Sequence, residues 1–233
     1  MALIQCDLFS HSLMRTVTVQ VLLPTDKMAP GAAPKGPFKT LYLLHGIFGN
    51  RTDWVCGTRL QSWAADRNLA VVMPSGENSF YVDNEKASAL YGTFIGKELV
   101  DFTRRSFPLS DKREDTFIGG LSMGGFGSIV NGLQNPETFG AVCALSSALI
   151  LDSMMENTEY TDFLMTNKGY YESVFGDLTK VRGGVNDYDA LAEKVASSGG
   201  PASSGTTCRP WATTSPTRRA PASTTGTSGT STF

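Results

Sequence analysis

Residues 16–23 (TVTVQVLL) alternate small polar and branched apolar side chains, the two-residue period of a half-buried strand, and Pro24 stops the run. This reads as an early strand at a sheet edge. A Pro/Gly/Lys-rich loop over residues 25–39 leads into residues 40–44 (TLYLL), which are continuously apolar, as in a parallel strand covered on both faces. That strand is expected near the middle of the sheet. Residues 59–68 read as a helix, residues 69–73 (LAVVM) as a second buried strand, and residues 87–107 as a longer amphipathic helix halted by Pro108. Residues 116–119 (TFIG) supply the next strand, residues 125–135 the helix after it, and residues 141–146 (AVCALS) a further strand. Strands and helices in alternation imply right-handed crossovers and a mostly parallel central sheet flanked by helices.

The pattern breaks near Ala196. From there to Phe233 no Leu, Ile, Val, Met, Asp, Glu or Lys occurs, and Ser, Thr, Gly, Ala and Pro dominate, so no buried strand can form. The expected organisation is an incomplete α/β domain over residues 1–196, lacking its C-terminal strands and helix, then a low-complexity, disordered tail over residues 197–233. Residues 149–184 are expected to form a cap-like insertion, with Tyr160, Phe163, Tyr170 and Tyr171 either lining the substrate site or packing within the cap.

Composition narrows the function classes. With 233 residues and 41% hydrophobic content, the chain has material for one sizeable core. A formal charge of −2 and a pI near 5.7 supply no basic face for nucleic acid or an anionic membrane, which leaves a small neutral molecule as the expected partner. Cys6, Cys56, Cys143 and Cys208 are far apart with no C-x-x-C pair, fitting reduced thiols rather than zinc ligands or a disulfide framework. No metal or other cofactor is expected. There is no basic-then-apolar leader and no apolar run of about eighteen residues, so the expected location is the cytoplasm.

Between the strand at 116–119 and the helix at 125–135 stands Gly120-Leu121-Ser122-Met123-Gly124, a G-x-S-x-G nucleophile elbow. A serine on so sharp a strand-to-helix turn is presented above the sheet, and glycines two residues to either side avoid collision with neighbouring backbone. Ser122 is the candidate nucleophile. The alternative, a glycine-rich turn with an incidental serine, is opposed by the strand before it and the helix after it. The Met123 N–H opens the helix and would be one donor to the oxyanion of a tetrahedral intermediate. The second is expected from the loop His45-Gly46-Ile47-Phe48-Gly49-Asn50, with the Ile47 N–H as candidate. His45, at a strand end, is expected to brace this loop by hydrogen bonds rather than serve as the base. His11 is expected at the surface.

The loop His45-Gly46-Ile47-Phe48-Gly49-Asn50 with Trp54, then Val71-Val72-Met73-Pro74, Lys112-Arg113-Glu114-Asp115-Thr116-Phe117-Ile118 and Gly120-Leu121-Ser122-Met123-Gly124-Gly125, fall in order along the chain. In these motifs the sequence resembles the esterase D / S-formylglutathione hydrolase-like group of α/β-hydrolases, its tributyrin and acetyl/feruloyl esterase members most. The resemblance runs over roughly residues 16–196. It implies an α/β-hydrolase fold, hydrolysis of small short-chain acyl esters through an acyl-enzyme, Ser122 as nucleophile, and Ile47 and Met123 as oxyanion donors. It also implies Trp54, Phe80 and Tyr81 as substrate-binding residues, with core packing an equal alternative for each. Acyl transfer to a sugar hydroxyl, as in the similar mycolyltransferases, is a further reading, opposed by the lack of an export signal.

The C-terminal region departs from that family. Members carry a strand followed by Gly-x-x-Asp and then Gly-x-His; this chain shows neither, and its two histidines both precede Ser122. Without imidazole the serine lacks a general base, so this polypeptide is expected to be impaired, or to be a non-catalytic pseudoenzyme or fragment. One explanation is a tail translated out of frame from about Gly199. Reading from the last base of the Trp211 codon forces Gly and then permits Asp-Asp, where the family would place its acid, and the other shifted frame permits no acid there. In the same frame Ser223-Thr224-Thr225-Gly226 can encode Phe-His-Asp-Trp. The alternative is a genuine Ser/Thr/Pro-rich tail or linker.

Overall fold

The computed structural model describes residues 1–26, 35–156, 161–163 and 167–198. Along the chain the strands are β1 (Ala2–Ser10), β2 (Arg15–Leu23), β3 (Thr40–Leu44), β4 (Ala70–Pro74), β5 (Asp83–Asn84), β6 (Ala89–Leu90), β7 (Thr116–Leu121) and β8 (Ala141–Leu145). β5 and β6 form a small separate ladder, and the other strands make one sheet in the order β1-β2-β4-β3-β7-β8. β1–β2 and β2–β4 are antiparallel; β4–β3, β3–β7 and β7–β8 are parallel. The helices are α1 (Asp53–Gly57), α2 (Leu60–Asp66), α3 (Tyr91–Thr93), α4 (Leu99–Ser106), α5 (Met123–Gln134), α6 (Leu151–Glu156), α7 (Lys168–Phe175) and α8 (Tyr188–Ser197), with a π-helical segment (Phe94–Glu98) joining α3 to α4.

β3 and β4 are apolar throughout because both sheet faces are covered. On one face Leu43, Val71, Met73 and Leu22 pack with Leu60 and Ala64 of α2. On the other, Tyr42, Leu44, Val72 and Val21 join Phe94, Leu99, Phe126 and Val130 in the larger core. Burying the Tyr42 ring would strand its hydroxyl; it pairs instead with Thr103 Oγ1 at 2.7 Å, and burial pushes its pKa up to about 12.

Two expectations need correction. The strand at 16–23 is not an edge: β2 lies between β1 and β4, and β1 takes the edge. β1 turns Ile4, Cys6 and Leu8 inward against exposed Gln5 and Asp7, an alternation masked at both ends by the exposed apolar residues Leu3 and Phe9, and it is completed by pairing with β2. Glu98 anchors the intervening turn, accepting from Ser10 Oγ, His11 N–H and Ser12 N–H at 2.7, 2.7 and 3.0 Å. The helix read over 87–107 begins only at Tyr91, because the Asn84 side chain accepts from Ala87 N–H and turns the chain into β6. Its end matches the sequence rule: Phe107, ahead of Pro108, is extended at φ −131° and ψ 156°. The helix at 59–68 is α2, preceded by α1, a single short turn that sequence periodicity is too brief to mark.

α5 carries the second half of the domain. The Phe126 ring meets those of Phe80, Phe175 and Tyr188 edge-on, at centroid distances of 5.4, 5.8 and 5.9 Å, so α7 and α8 seat on α5 through one side chain. Arg182 ties α6 to the start of α8, pairing with Asp152, Asp187 and Asp189. β8 is the sheet's other edge among the described residues, and Val142 and Leu145 are 42% and 43% exposed. Residues 157–160 and 164–166 of the expected insertion, and residues 199–233 of the expected tail, lie outside the described residues, as do Tyr160 and Cys208. No helix among the described residues is long and apolar enough to cross a membrane.

Phe126→Ala removes a fully buried ring and three aromatic contacts, and is expected to cost about 3–5 kcal/mol of unfolding free energy in urea denaturation.

Candidate active site

The site forms where the C-terminal ends of β3, β4 and β7 come together, the crevice that open α/β sheets offer to ligands. β7 ends at Leu121 and α5 starts at Met123, so the chain reverses within one residue. Ser122 accordingly takes φ 55° and ψ −114°, a strained conformation for a residue with a side chain. Three bonds hold it there. Its N–H donates to Leu145 C=O, and its C=O accepts from Phe126 N–H and Ala148 N–H, all at 3.0 Å.

The elbow glycines are required sterically. A Cβ at Gly124 would lie 2.5 Å from Leu44 O and 2.6 Å from His45 O; one at Gly120 would lie 2.5 Å from Gly124 backbone and 2.8 Å from Leu44 O. Backbone cannot yield as a side chain can. The same approach brings the loop after β3 against the serine, since a Cβ built on Gly46 would sit 3.7 Å from Ser122 Cβ. Gly46, which precedes Ile47, therefore stands beside Ser122, and Met123 follows the serine directly in the chain. As the first residue of α5, Met123 offers an N–H that has no partner within the helix.

His45 is buried to 1% exposure. Its Nε2 accepts from Gly76 N–H at 2.8 Å, which puts the proton on Nδ1, 2.6 Å from Gly46 O. Burial lowers its pKa below the usual value, opposed by the bond to Gly46, so the ring is neutral. Both ring nitrogens are thereby occupied. His11, in the β1–β2 turn, packs its ring edge-on against Phe9 at 5.2 Å. Four strand spacings separate β1 from β7, roughly 19 Å across the sheet.

The three aromatics are placed differently. Trp54 is half-buried and donates its indole N–H to Leu44 O at 3.1 Å, one residue before His45. Phe80 and Tyr81 are only 1% and 0% exposed, so neither presents surface to a substrate; Tyr81 instead donates its hydroxyl to His45 O at 3.0 Å beneath the site. Both take positive φ, 52° and 57°, in a tight loop that follows β4. Of that loop, residues 75–81, the resemblance singles out only Phe80 and Tyr81, although the polar Ser75-Gly76-Glu77-Asn78-Ser79 run after a buried strand marks a turn at the sheet's C-terminal rim. A cavity of about 520 Å³, lined by Leu133, Gln134, Val185 and Leu191, lies at the far end of the 12-residue α5, about 18 Å from Ser122.

Residues 10–208 match the family model described as "Putative esterase". The chain belongs to this esterase family. An acetyl esterase from Caldicellulosiruptor saccharolyticus is 42% identical over 198 residues, covering 84% of this chain and 74% of that protein. Among solved structures, the fluorophosphonate-binding serine hydrolase FphF of Staphylococcus aureus superposes with a TM-score of 0.71 at 31% identity, and the S-formylglutathione hydrolase FrmB of the same species with 0.69 at 30%. Both comparisons cover 84% of this chain and 74% of the other. The esterase has their α/β-hydrolase fold and is a serine hydrolase acting on ester bonds.

Because the folded state holds the His45 pKa below the 6.5 of the free imidazole, the unfolded chain takes up a proton first as pH falls. His45 thus contributes stability that is present above pH 6.5 and lost below it. The thermal midpoint is expected to drop between pH 7 and pH 5, and His45→Gln is expected to flatten that part of the profile.

Proposed function

We propose that this protein is a carboxylic-ester hydrolase for short-chain acyl esters, acting through an acyl-enzyme on Ser122. The carrying observation is the strained elbow that sets Ser122 beside the Gly46-Ile47 turn. Ser122 Oγ attacks the ester carbonyl, and the carbonyl oxygen takes the developing negative charge between the Ile47 and Met123 N–H groups, where the amino end of α5 adds a favourable field. Collapse expels the alcohol and leaves the acyl group on Ser122; water then releases the acid. His45, neutral and doubly bonded, keeps the turn in place. Trp54, bonded to Leu44 O, is the aromatic of the three that retains surface near the crevice. An acetyl or similarly short acyl group is supported by the acetyl esterase relative.

The missing part is the base. Among His11 and His45, one is remote and the other has no free nitrogen. We infer that turnover by these 233 residues is impaired, that residues 1–196 form an incomplete hydrolase domain with 149–184 over the substrate, and that the low-complexity tail over residues 197–233 is read out of frame from about Gly199. The composition change at Ala196 and the exposed apolar β8 edge support this. Sequencing the gene across codons 195 to 233 in independent isolates tests the tail, and an unbroken tail-encoding frame in all of them would discard it.

For activity, p-nitrophenyl acetate and butyrate hydrolysis is compared for this chain, its Ser122→Ala variant and a chain with the restored frame. The expected outcome is slow Ser122-dependent release by this chain, and a gain of about a thousandfold or more on restoring the frame. Turnover of about 10 s⁻¹ by the 233-residue chain would sink the missing-base argument.

A further inference from the structure

We infer that Asn78 is a positioning residue of this site, clamping the oxyanion turn through its side chain and linking that turn to α7 through its main chain, a role that rests on Ser122 as nucleophile and Ile47 as oxyanion donor. Gly46 to Gly49 form a tight turn, closed by a 3.2 Å bond from Gly49 N–H to Gly46 C=O. Its third residue, Phe48, sits at φ 65°, as turns of this type require. A trans peptide points its C=O and its N–H in opposite directions. Gly46 C=O is gripped by Gly49 N–H and by His45 Nδ1, so the Ile47 N–H at the other end of that same peptide faces the opposite way. Rocking of the turn would swing this donor.

Phe48 is the weak point. A residue with a side chain at positive φ is held against its own preference. Its ring is 67% exposed, so the core does not hold it. The bond from Phe48 N–H to Asn78 Oδ1, 2.9 Å, supplies the restraint. Asn78 is itself held by α7. Tyr170, on α7, donates its hydroxyl to Asn78 C=O at 2.7 Å. Two residues earlier, Gly76 N–H is bonded to His45 Nε2. The loop after β4 thus grips the oxyanion segment at His45 and at Phe48, and the second grip passes through the side chain of one residue whose main-chain carbonyl is bonded to α7.

Two readouts on the full 233-residue chain test this. The first is hydrogen–deuterium exchange resolved to the Phe48 and Gly76 amides. The second is covalent modification of Ser122 by a fluorophosphonate, in which an Oγ–P bond forms, fluoride leaves, the hydroxyl proton passes to buffer, and the phosphoryl oxygen occupies the oxyanion position. Asn78→Ala is expected to speed exchange at Phe48 about tenfold with Gly76 still protected, and to lower the limiting modification rate about tenfold at an unchanged half-saturating concentration. Asn78→Asp is expected to keep Phe48 protected, since a carboxylate accepts the same bond. Unchanged Phe48 exchange in Asn78→Ala, loss of protection in Asn78→Asp, or a weaker half-saturation with an unaltered limiting rate would each overturn the role. A merely structural role predicts exchange rising across the whole loop together with a lower thermal midpoint, and an unaltered limiting rate. If the wild-type chain is modified no faster than Ser122→Ala, the nucleophile reading fails, and the exchange arm alone still decides whether Asn78 is the clamp.

Discussion

Backbone meets backbone where the β7–α5 turn closes over the end of β3, and most of the site is a consequence of that approach. With glycine at 120 and 124, the turn settles against the Leu44 and His45 carbonyls at distances no side chain would allow. The level at which it settles puts Ser122 beside Gly46 and fixes the direction in which α5 leaves the sheet. That direction in turn carries Phe126 to the aromatic cluster on which α7 and α8 depend. One steric fact therefore runs from local conformation to nucleophile placement and to the attachment of the whole second half of the domain.

Electrostatically the site is one-sided. In the proposed reaction its donors to a negative oxygen come from the amino end of α5 on one side and the turn after β3 on the other. The imidazole closest in sequence to those donors is spent on structure. Burial keeps His45 neutral, and a neutral ring with one donating and one accepting nitrogen can bond Gly46 and Gly76 at once. A charged ring would lose the Gly76 bond, because a protonated Nε2 cannot accept. The same desolvation that lowers its pKa thus keeps the oxyanion segment intact at neutral pH.

The two edges of the sheet differ in kind. β1 is blunted by polar residues and anchored at its turn by Glu98, which lowers the hazard that an unpaired ladder presents. β8 is apolar and its outer edge unpaired among the described residues. An edge of that composition favours pairing with another chain, so association through β8 is the physical liability of this polypeptide.

Several elements could be read directly from the chain because local physics dictates composition there. A strand covered on both faces must be apolar throughout, and residues 40–44 are β3 without adjustment. An elbow must have glycine at both close approaches, which made Ser122 legible as the nucleophile candidate, and the residue before Pro108 had to be extended. Where residues distant in sequence supply the cause, the pattern was silent. β1 is masked in the sequence by exposed Leu3 and Phe9 and is completed by pairing with β2, and the helix expected from residue 87 waits until Tyr91 because Asn84 caps the turn before it. Phe80 and Tyr81 are aromatic in a loop beside the crevice, which from sequence fits a pocket as well as a core; only the packing of Phe126 and the bond to His45 put them inside. Asn78 meets Phe48 across 30 residues and Tyr170 across 92. The sequence by itself determined the elbow, the buried strands and the order of elements, since sterics and burial act on neighbours along the chain. The tertiary structure alone decided which loop grips the oxyanion turn and which histidine nitrogens remain free, since those depend on hydrogen bonds that exist only once remote segments meet.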